Sequence, residues 1–371
     1  MELRYIRRAL FLRLKKNKTI FNTVEWLKWH REINYQRQTN SIENLKPKDV
    51  IKAEERLIKD YWHCGTFHYY RYGLQYKKLT TDQLLDYVPT YYFHKNIETQ
   101  HRDIDTIKFG DKLTQARLFA ERGIPTAPVI AVYKNRECHT FTTNEYLDLQ
   151  AFVKDKLRDK TNKLFFKPTG NCGGAGIFIL KRDDKSYILN GRLLKSVTDL
   201  QSHLEPGITY IVEENIIQSR QISEINSSSV NTLRVVVQKE SNQMVIRTCI
   251  LRMGRKGKEV DNSAQGGISI KVDPETGIFA DGATAEHGSG LFYEHPDSKF
   301  RFKGACIDNW LSIRAQIETI ANKLIDFNDI ALDIAITDRG AILVEFNFRY
   351  GVEHQQCVIG GIRKILNISN S

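Results

Sequence analysis

The stretch Lys163-Leu-Phe-Phe-Lys-Pro-Thr-Gly-Asn-Cys-Gly-Gly-Ala-Gly-Ile-Phe-Ile-Leu180 predicts a strand, a glycine loop and a second strand. The runs Leu164–Phe166 and Ile177–Leu180 are apolar and β-prone, and four glycines lie between them. Glycines let the backbone come close to a ligand, with its amides pointing at an anion. Lys167 precedes the loop and would add a positive charge there. The stretch fits a phosphate site and an ordinary glycine-rich hairpin equally well.

Length and composition indicate a globular protein with two or three subdomains. The chain has 371 residues, of which 41% are hydrophobic and 27% charged, and 8 prolines. No apolar run reaches the roughly 18 residues that a membrane-spanning helix needs, and the first residues show no secretory signal pattern. The six cysteines include no C-x-x-C pair, which argues against a zinc ribbon or a disulfide framework. We therefore expect a cytoplasmic protein.

Positive charge is concentrated at the start of the chain. The net charge is +11, and residues 1–60 hold fifteen Lys and Arg against eight Asp and Glu. Residues 3–18 place apolar side chains at helical spacing among basic ones, which predicts a basic amphipathic helix. Such a helix binds an anionic membrane surface, here the inner face of the cell membrane, or an acidic partner, or packs on the protein with its basic face in solvent. Nucleic acid is not an expected partner, because no signature of a nucleic-acid-binding fold is present.

The rest of the chain divides into a helical region and a region of mixed strands and helices. Residues 20–105 are predicted to be mainly helical and are rich in aromatic side chains, which fit a core, a docking surface or a stacking platform. From Phe109 onward, strands with interspersed helices predict a largely antiparallel α+β protein. Lys112–Arg122 is expected to form a helix capped by Asp111 and ended by Gly123. The predicted domains are 1–105, 106–212 and 213–371.

A second candidate site lies near the end of the chain. Two predicted strands, Ile330–Thr337 and Ala341–Asn347, carry Asp333 on one and Glu345 and Asn347 on the other. Glu345 and Asn347 are two residues apart, so they share one face of their strand. Carboxylates among apolar neighbours are costly unless something neutralises them, and two carboxylates with an amide oxygen suit Mg²⁺. A strand pair with a solvent-facing polar side is the alternative.

Taken together and in order, these features resemble the ATP-grasp superfamily, of which D-alanine–D-alanine ligase is a familiar member. The resemblance runs from about Phe109 to Gln355. Four further segments look like the sugar-transfer-associated branch: Asn231-Thr-Leu-Arg234, Leu251-Arg-Met-Gly254, Val260 to Ile268 and Val344-Glu-Phe-Asn347. The resemblance implies the ATP-grasp fold, in which two α+β subdomains with mostly antiparallel sheets grip ATP. The helical, aromatic-rich N-terminal region would precede them.

The resemblance also implies a role for each candidate residue. The glycine loop would form a flap over the phosphates of ATP. The phosphates would be held by Lys112, Lys167 and the loop glycines Gly173, Gly174 and Gly176. Adenine and ribose would meet a hinge strand and its continuation: Glu213, Glu214, Asn215, Ile216 and Gln218, with Glu224 as the alternative ribose contact. Mg²⁺ would be held by Asp333, Glu345 and Asn347. The catalytic candidates are Arg234, Arg252 and Lys167. The substrate candidates are Asn262, Arg349, Tyr350 and His354.

The activity implied is that of an ADP-forming carboxylate–amine ligase that works through an acyl phosphate, with ATP and Mg²⁺ as cofactors. Its substrates would be a small-molecule carboxylate and an amine. Because the branch is found with polysaccharide biosynthesis genes, we expect it to modify a surface polysaccharide or a sugar precursor, for instance by coupling an amino acid to a sugar acid. The alternatives are an ATP-grasp phosphotransferase and a non-catalytic nucleotide-binding scaffold that docks through residues 1–100. The sequence predicts no oligomeric state.

Overall fold

The computed structural model describes residues 42–159, 162–170, 176–183, 186–259, 261, 266–285 and 290–370, together with Ile20, Thr23, His30, Asn34 and Arg37. The basic helix predicted at residues 3–18 lies outside the described residues, as do Gly173, Gly174 and Asn262. No helix in the described ranges is long and apolar enough to cross a membrane.

Helices dominate the first part of the described chain and recur between the strands. From residue 48 onward they are α1 (Lys48–Trp62), α2 (Phe67–Arg71), α3 (Thr81–Leu85), α4 (Thr90–Gln100), α5 (Lys112–Glu121), α6 (Leu149–Lys156), α7 (Leu200–His203), α8 (Arg220–Ile225), α9 (Trp310–Asn322) and α10 (Val352–Ile359). Short 3₁₀ turns occur at Ile42–Asn44, Leu74–Tyr76, Val197–Asp199 and Ile325–Phe327.

The strands form two sheets. They are β1 (Val129–Lys134), β2 (Glu137–Thr140), β3 (Tyr146–Leu147), β4 (Lys163–Pro168), β5 (Phe178–Asp183), β6 (Ser186–Leu189), β7 (Arg192–Leu194), β8 (Tyr210–Glu214), β9 (Thr232–Glu240), β10 (Gln243–Met253), β11 (Ile268–Val272), β12 (Thr284–Ala285), β13 (Asp329–Thr337) and β14 (Gly340–Asn347). The first sheet has the order β3-β2-β1-β8-β4-β5-β6-β7 and the second β12-β11-β10-β9-β13-β14. Neighbouring strands in both sheets are antiparallel, as predicted.

Local sequence signals account for the elements that position the site. The Asp111 side chain accepts a hydrogen bond from the Thr114 amide at 3.0 Å, so α5 begins at the cap that the sequence predicts. Strands β4 and β5, which precede and follow the glycine loop, pair with each other, and the predicted hairpin is confirmed. Asp333 on β13 lies opposite Glu345 on β14, so the carboxylates of the second predicted hairpin are cross-strand neighbours.

Each sheet has its own core, and the second sheet is covered on two sides. Side chains of β4 and β8 such as Phe166 and Val212 pack with α6. One face of the second sheet packs against α5 and α9, so α5 belongs with the second sheet although it precedes the first in sequence. On the opposite face, Val236 and Ala331 pack against the aromatic N-terminal helices, including Trp62 and Phe93. These aromatic side chains therefore form a core.

Candidate active site

A cleft of about 350 Å³ lies between strand β4 of the first sheet and the segments around β9 of the second. Lys163, Phe165 and Lys167 line it, whereas the intervening Leu164 and Phe166 are buried in the core of the first sheet. This division follows from the alternation of side chains along a strand. The other lining residues used below are Glu213, Glu214, Asn215, Ile216, Gln218, Ser228, Ser229, Thr232, Glu259 and Asp261.

The two lysines predicted to bind ATP flank the start of the glycine loop. The amide of Lys112, the first residue of α5, donates to the Thr169 carbonyl at 3.0 Å, two residues beyond Lys167. Lys167 Nζ lies 2.5 Å from Glu213 Oε2, and Lys112 Nζ lies 3.1 Å from Glu345 Oε2. Each lysine is thus held by a carboxylate and carries a charge that phosphate oxygens could share.

Of the residues predicted to contact adenine and ribose in and after the hinge strand β8, only some direct their side chains into the cleft. The Glu213 side chain is on the cleft face with Lys167, whereas Glu214 contacts Lys156 of α6 at 3.1 Å. After the strand, Asn215 Oδ1 accepts the amide hydrogen of Lys163 at 2.9 Å and ties the hinge to β4. Glu214, Asn215 and Ile216 all line the cleft, and their contact with adenine stays a prediction.

The two residues predicted as ribose contacts need correction. Gln218 is buried and its amide is already used: Nε2 donates to the carbonyls of Asn226 and Ser229, and Oε1 accepts from the Asn231 amide. Glu224 is exposed on α8, 3.1 Å from Arg220 Nε, and does not line the cleft. Neither side chain is placed to bind ribose. The sequence did not reveal this, because it does not show how the polar segment after β8 packs.

Beyond the cleft, the second sheet carries a largely buried network of arginines and aspartates. Arg234 on β9 donates from Nε and Nη2 to the two oxygens of Asp333, each at 2.8 Å. Arg252 on β10 donates to Asp333 Oδ2 and to Asp261 Oδ1, each at 3.3 Å. Burial alone would raise the pKa of Asp333, but Arg234 and Arg252 outweigh it and lower that pKa. The catalytic candidates Arg234 and Arg252 are thus brought together.

Asp261 is a site residue that the sequence analysis missed. Its Oδ2 accepts hydrogen bonds from the amide of Thr232, at 3.1 Å, and from the hydroxyl of the same residue. Burial raises the pKa of Asp261, against the opposing effect of Arg252. The available signal was an acidic residue at the start of the polar turn before β11, among the segments that carry the family resemblance.

The residues predicted to hold Mg²⁺ fit that ion unequally. Asn347 Nδ2 donates to Glu345 Oε1 at 3.3 Å, which leaves the Asn347 amide oxygen as a ligand beside the carboxylate. Asp333 Oδ1 accepts from Arg234, and Oδ2 accepts from both Arg234 and Arg252, so Oδ1 retains more ligand capacity than Oδ2. Among the described residues, no group of three or more His, Cys, Asp or Glu forms a ready metal cluster. Glu345 shares its two oxygens with Lys112 and Asn347, so all three predicted residues can donate to Mg²⁺ only by sharing or exchanging contacts already made within the protein.

Three of the four substrate candidates lie in the described part of the chain, and their side chains have different surroundings. His354 Nε2 is 2.9 Å from Ser269 Oγ, and Ser269 lies opposite Arg252 across the β10–β11 ladder. Arg349 lies 3.0 Å from Glu98, near the surface. Tyr350 is buried in the core beneath the N-terminal helices. His354 is therefore placed beside the arginine network, whereas the position of Tyr350 gives no support to substrate contact.

The family is decided by a family model described as sugar-transfer-associated ATP-grasp, which matches residues 95–368. The chain belongs to this family. The predicted fold class, α+β with mostly antiparallel sheets, is confirmed. ATP-grasp enzymes use ATP and Mg²⁺, so the cofactor prediction is confirmed at the level of the family. Membership also supports the coarse expectation of an ATP-dependent ligase.

Solved structures of other ATP-grasp enzymes are similar at low identity. Phosphoribosylamine–glycine ligase from Thermotoga maritima is 13% identical, with a TM-score of 0.38 over 67% of this chain and 50% of that one. D-alanyl-alanine synthetase A from Vibrio cholerae is 12% identical, with a TM-score of 0.38 over 70% of this chain and 60% of that one. The chain thus spans 50 to 60% of the length of these proteins. A comparison with curated proteins gave no match.

Proposed function

We propose that the protein is an ADP-forming ligase that couples a carboxylate to an amine. The observation that carries this proposal is a cleft lined by Lys167 and Asp261, with Arg252 joining Asp261 to the Arg234–Asp333 ion pair. Lys167 lines the cleft, and Arg252 is held by Asp261, which also lines it. Lysines act as adaptable point charges for phosphates, whereas planar arginines suit carboxylates.

In the first step, an oxygen of the substrate carboxylate attacks the γ-phosphorus of ATP, and the bond to the bridging oxygen of ADP breaks. Lys112 and Lys167 neutralise phosphate charge during this transfer. Arg252, oriented by Asp261 and Asp333, holds the carboxylate in line. Glu345 and Asn347, with Asp333, are the residues that would hold Mg²⁺, which supplies further charge neutralisation when bound.

In the second step, the amine nitrogen attacks the acyl carbon, the bond to phosphate breaks, and the amine loses a proton. The product is an amide, with phosphate as the leaving group. Water must be excluded, because acyl phosphates hydrolyse. His354 lies on the far side of Arg252 from Asp333, beside Ser269, and is our candidate for the amine side of the site.

The family description supports a sugar-linked substrate. We propose that the carboxylate or the amine belongs to a surface polysaccharide or its precursor, as in the coupling of an amino acid to a sugar acid. This part of the proposal rests on the family alone.

The test is ADP release from ATP and Mg²⁺ against panels of amino acids, sugar acids and amino sugars, followed by identification of the product. An amide with ADP and phosphate supports the ligase, and a stable phosphorylated product would favour a phosphotransferase instead. Lys167→Ala and Arg252→Ala should each reduce turnover at least a hundredfold. Arg220→Ala is the matched control, because the Arg220 side chain is 91% exposed. If Lys167→Ala and Arg252→Ala turn over as fast as Arg220→Ala, their assignment to the active site is refuted. No ADP release by the wild type with any member of the panels would favour a binding scaffold.

Attachment to a membrane through residues 3–18 is a separate proposal, supported by their basic amphipathic pattern. The full chain should bind vesicles that contain phosphatidylserine at low ionic strength and dissociate as salt is raised. No binding to these vesicles at low salt would refute it.

A further inference from the structure

The cleft needs a group that recognises the sugar of the nucleotide. A ribose offers two hydroxyl donors, and a carboxylate can accept from both. Gln218 and Glu224 are excluded by their contacts, as described above. Four acidic residues remain among those that line the cleft: Glu213, Glu214, Glu259 and Asp261.

Three of these four are committed elsewhere. Glu213 is buried and bonded to Lys167, the lysine proposed to bind phosphate. The Glu214 side chain contacts Lys156 of α6, because β8 presents alternate residues to opposite faces. Asp261 uses both carboxylate oxygens on Thr232 and Arg252.

Glu259 combines an available oxygen with a position fixed beside the hinge. Its Oε2 accepts from Lys163 Nζ at 2.7 Å, and its side chain is 37% exposed. The Lys163 amide in turn donates to Asn215 of the hinge at 2.9 Å. Two residues before Glu259, the Gly257 amide donates to Ser228 Oγ at 3.2 Å, which ties the loop to another part of the cleft wall.

We propose that Glu259, oriented by Lys163, binds the ribose hydroxyls of the nucleotide. Lys163 belongs to β4 of the first sheet, whereas Glu259 follows β10 of the second. The sugar is therefore recognised by an ion pair that joins the two sheets, in place of a residue that follows the hinge strand. This inference rests on the proposed function, because it requires the nucleotide to bind in this cleft.

The test compares ADP with 2′-deoxyADP and 3′-deoxyADP, each with Mg²⁺, by calorimetry on the full chain. The wild type should bind ADP about tenfold more tightly than at least one deoxy analogue, the effect of losing one hydrogen bond to a charged group. Glu259→Gln and Glu259→Ala should lose this preference through weaker ADP binding, with little change for the analogues. Lys163→Met should reduce the preference, because Glu259 loses its orienting partner. Glu224→Gln, the matched control, should keep the preference of the wild type.

The outcomes separate this inference from the proposed function. If the wild type binds none of the three nucleotides, the proposed function fails and the ribose assignment fails with it. If ADP binds but both Glu259 variants discriminate as the wild type does, only the ribose assignment is overturned. The same conclusion follows if the wild type binds all three nucleotides equally, or if Glu224→Gln loses the preference.

Discussion

One face of the second sheet is divided into two halves that differ in cover and in charge. Along β9, Val236 and Arg234 share this face, and along β13 Ala331 and Asp333 share it as well. Val236 and Ala331 are packed under the N-terminal helices, whereas Arg234 and Asp333 form the network beside the cleft. A step of two residues separates a hydrophobic core from a charged site. The difference shows that the N-terminal helices cover one half and leave the charged half outside their core.

The largest effect is expected in the charged half. Asp333→Asn keeps the shape of the side chain but removes the charge that compensates Arg234. Because Arg234 is mostly buried, we expect a loss of about 3–5 kcal/mol in the free energy of unfolding. Urea denaturation followed by circular dichroism measures this loss.

An ion pair outside the sheet face provides the control for Asp333. Asp297 accepts from Arg255 Nε at 2.7 Å and Nη2 at 3.1 Å, but both side chains are about a quarter to a third exposed. Asp297→Asn should therefore cost roughly 1 kcal/mol or less. If Asp333→Asn is no more destabilising than Asp297→Asn, burial of the arginine network does not have the energetic importance that we assign to it.

A pH-dependent effect of intermediate size is expected in the helices that cover the other half. His68 on α2 is 1% exposed, and burial lowers its pKa to about 4. The neutral imidazole is favoured in the folded state, so this contribution is complete above the unfolded pKa of about 6.5 and is lost as pH falls towards 4. A shift of this size corresponds to roughly 3 kcal/mol. Urea unfolding between pH 7 and pH 4 measures it.

The variant His68→Gln cannot become charged over this range and should lose less stability on acidification than the wild type. Carboxylates titrate in both proteins, so the difference between their pH profiles isolates the imidazole. Parallel profiles would contradict the prediction.

Local patterns predicted the elements around the cleft better than the covered half of the second sheet. The cap at Asp111, the hairpin with Asp333 and Glu345, and the lysine before the glycine loop all follow from residues close in sequence. The covered half depends on packing between distant segments, such as those that place Ala331 and Trp62 in one core, which a single sequence does not reveal. Asp261 was missed for the same reason. Its place in the network depends on hydrogen bonds from Thr232 on β9 and Arg252 on β10, which are distant in sequence or on another element.

A smaller effect is expected at Tyr350, beneath the helices. Its hydroxyl donates to Asp329 Oδ1 at 2.8 Å, and Gln238 donates to the other oxygen at 2.8 Å. Burial raises the pKa of Asp329, and these two bonds oppose that effect. Tyr350→Phe leaves a buried acceptor with one partner fewer and should cost about 2 kcal/mol in urea unfolding. ADP affinity should be unchanged. A variant with normal stability but impaired turnover would restore Tyr350 as a substrate residue.

The smallest effect on stability is expected where the two sheets meet over the cleft. The ion pair of Lys163 and Glu259 is about one third exposed on each side, so its coupling energy should be at most about 1 kcal/mol. A double-mutant cycle with Lys163→Met, Glu259→Gln and the double variant measures it by urea unfolding. A coupling well above that value would mean that the pair holds the sheets together in the absence of nucleotide. A small coupling, combined with a clear loss of ribose discrimination, would mean that the pair serves the ligand more than the fold, unlike Arg234 and Asp333.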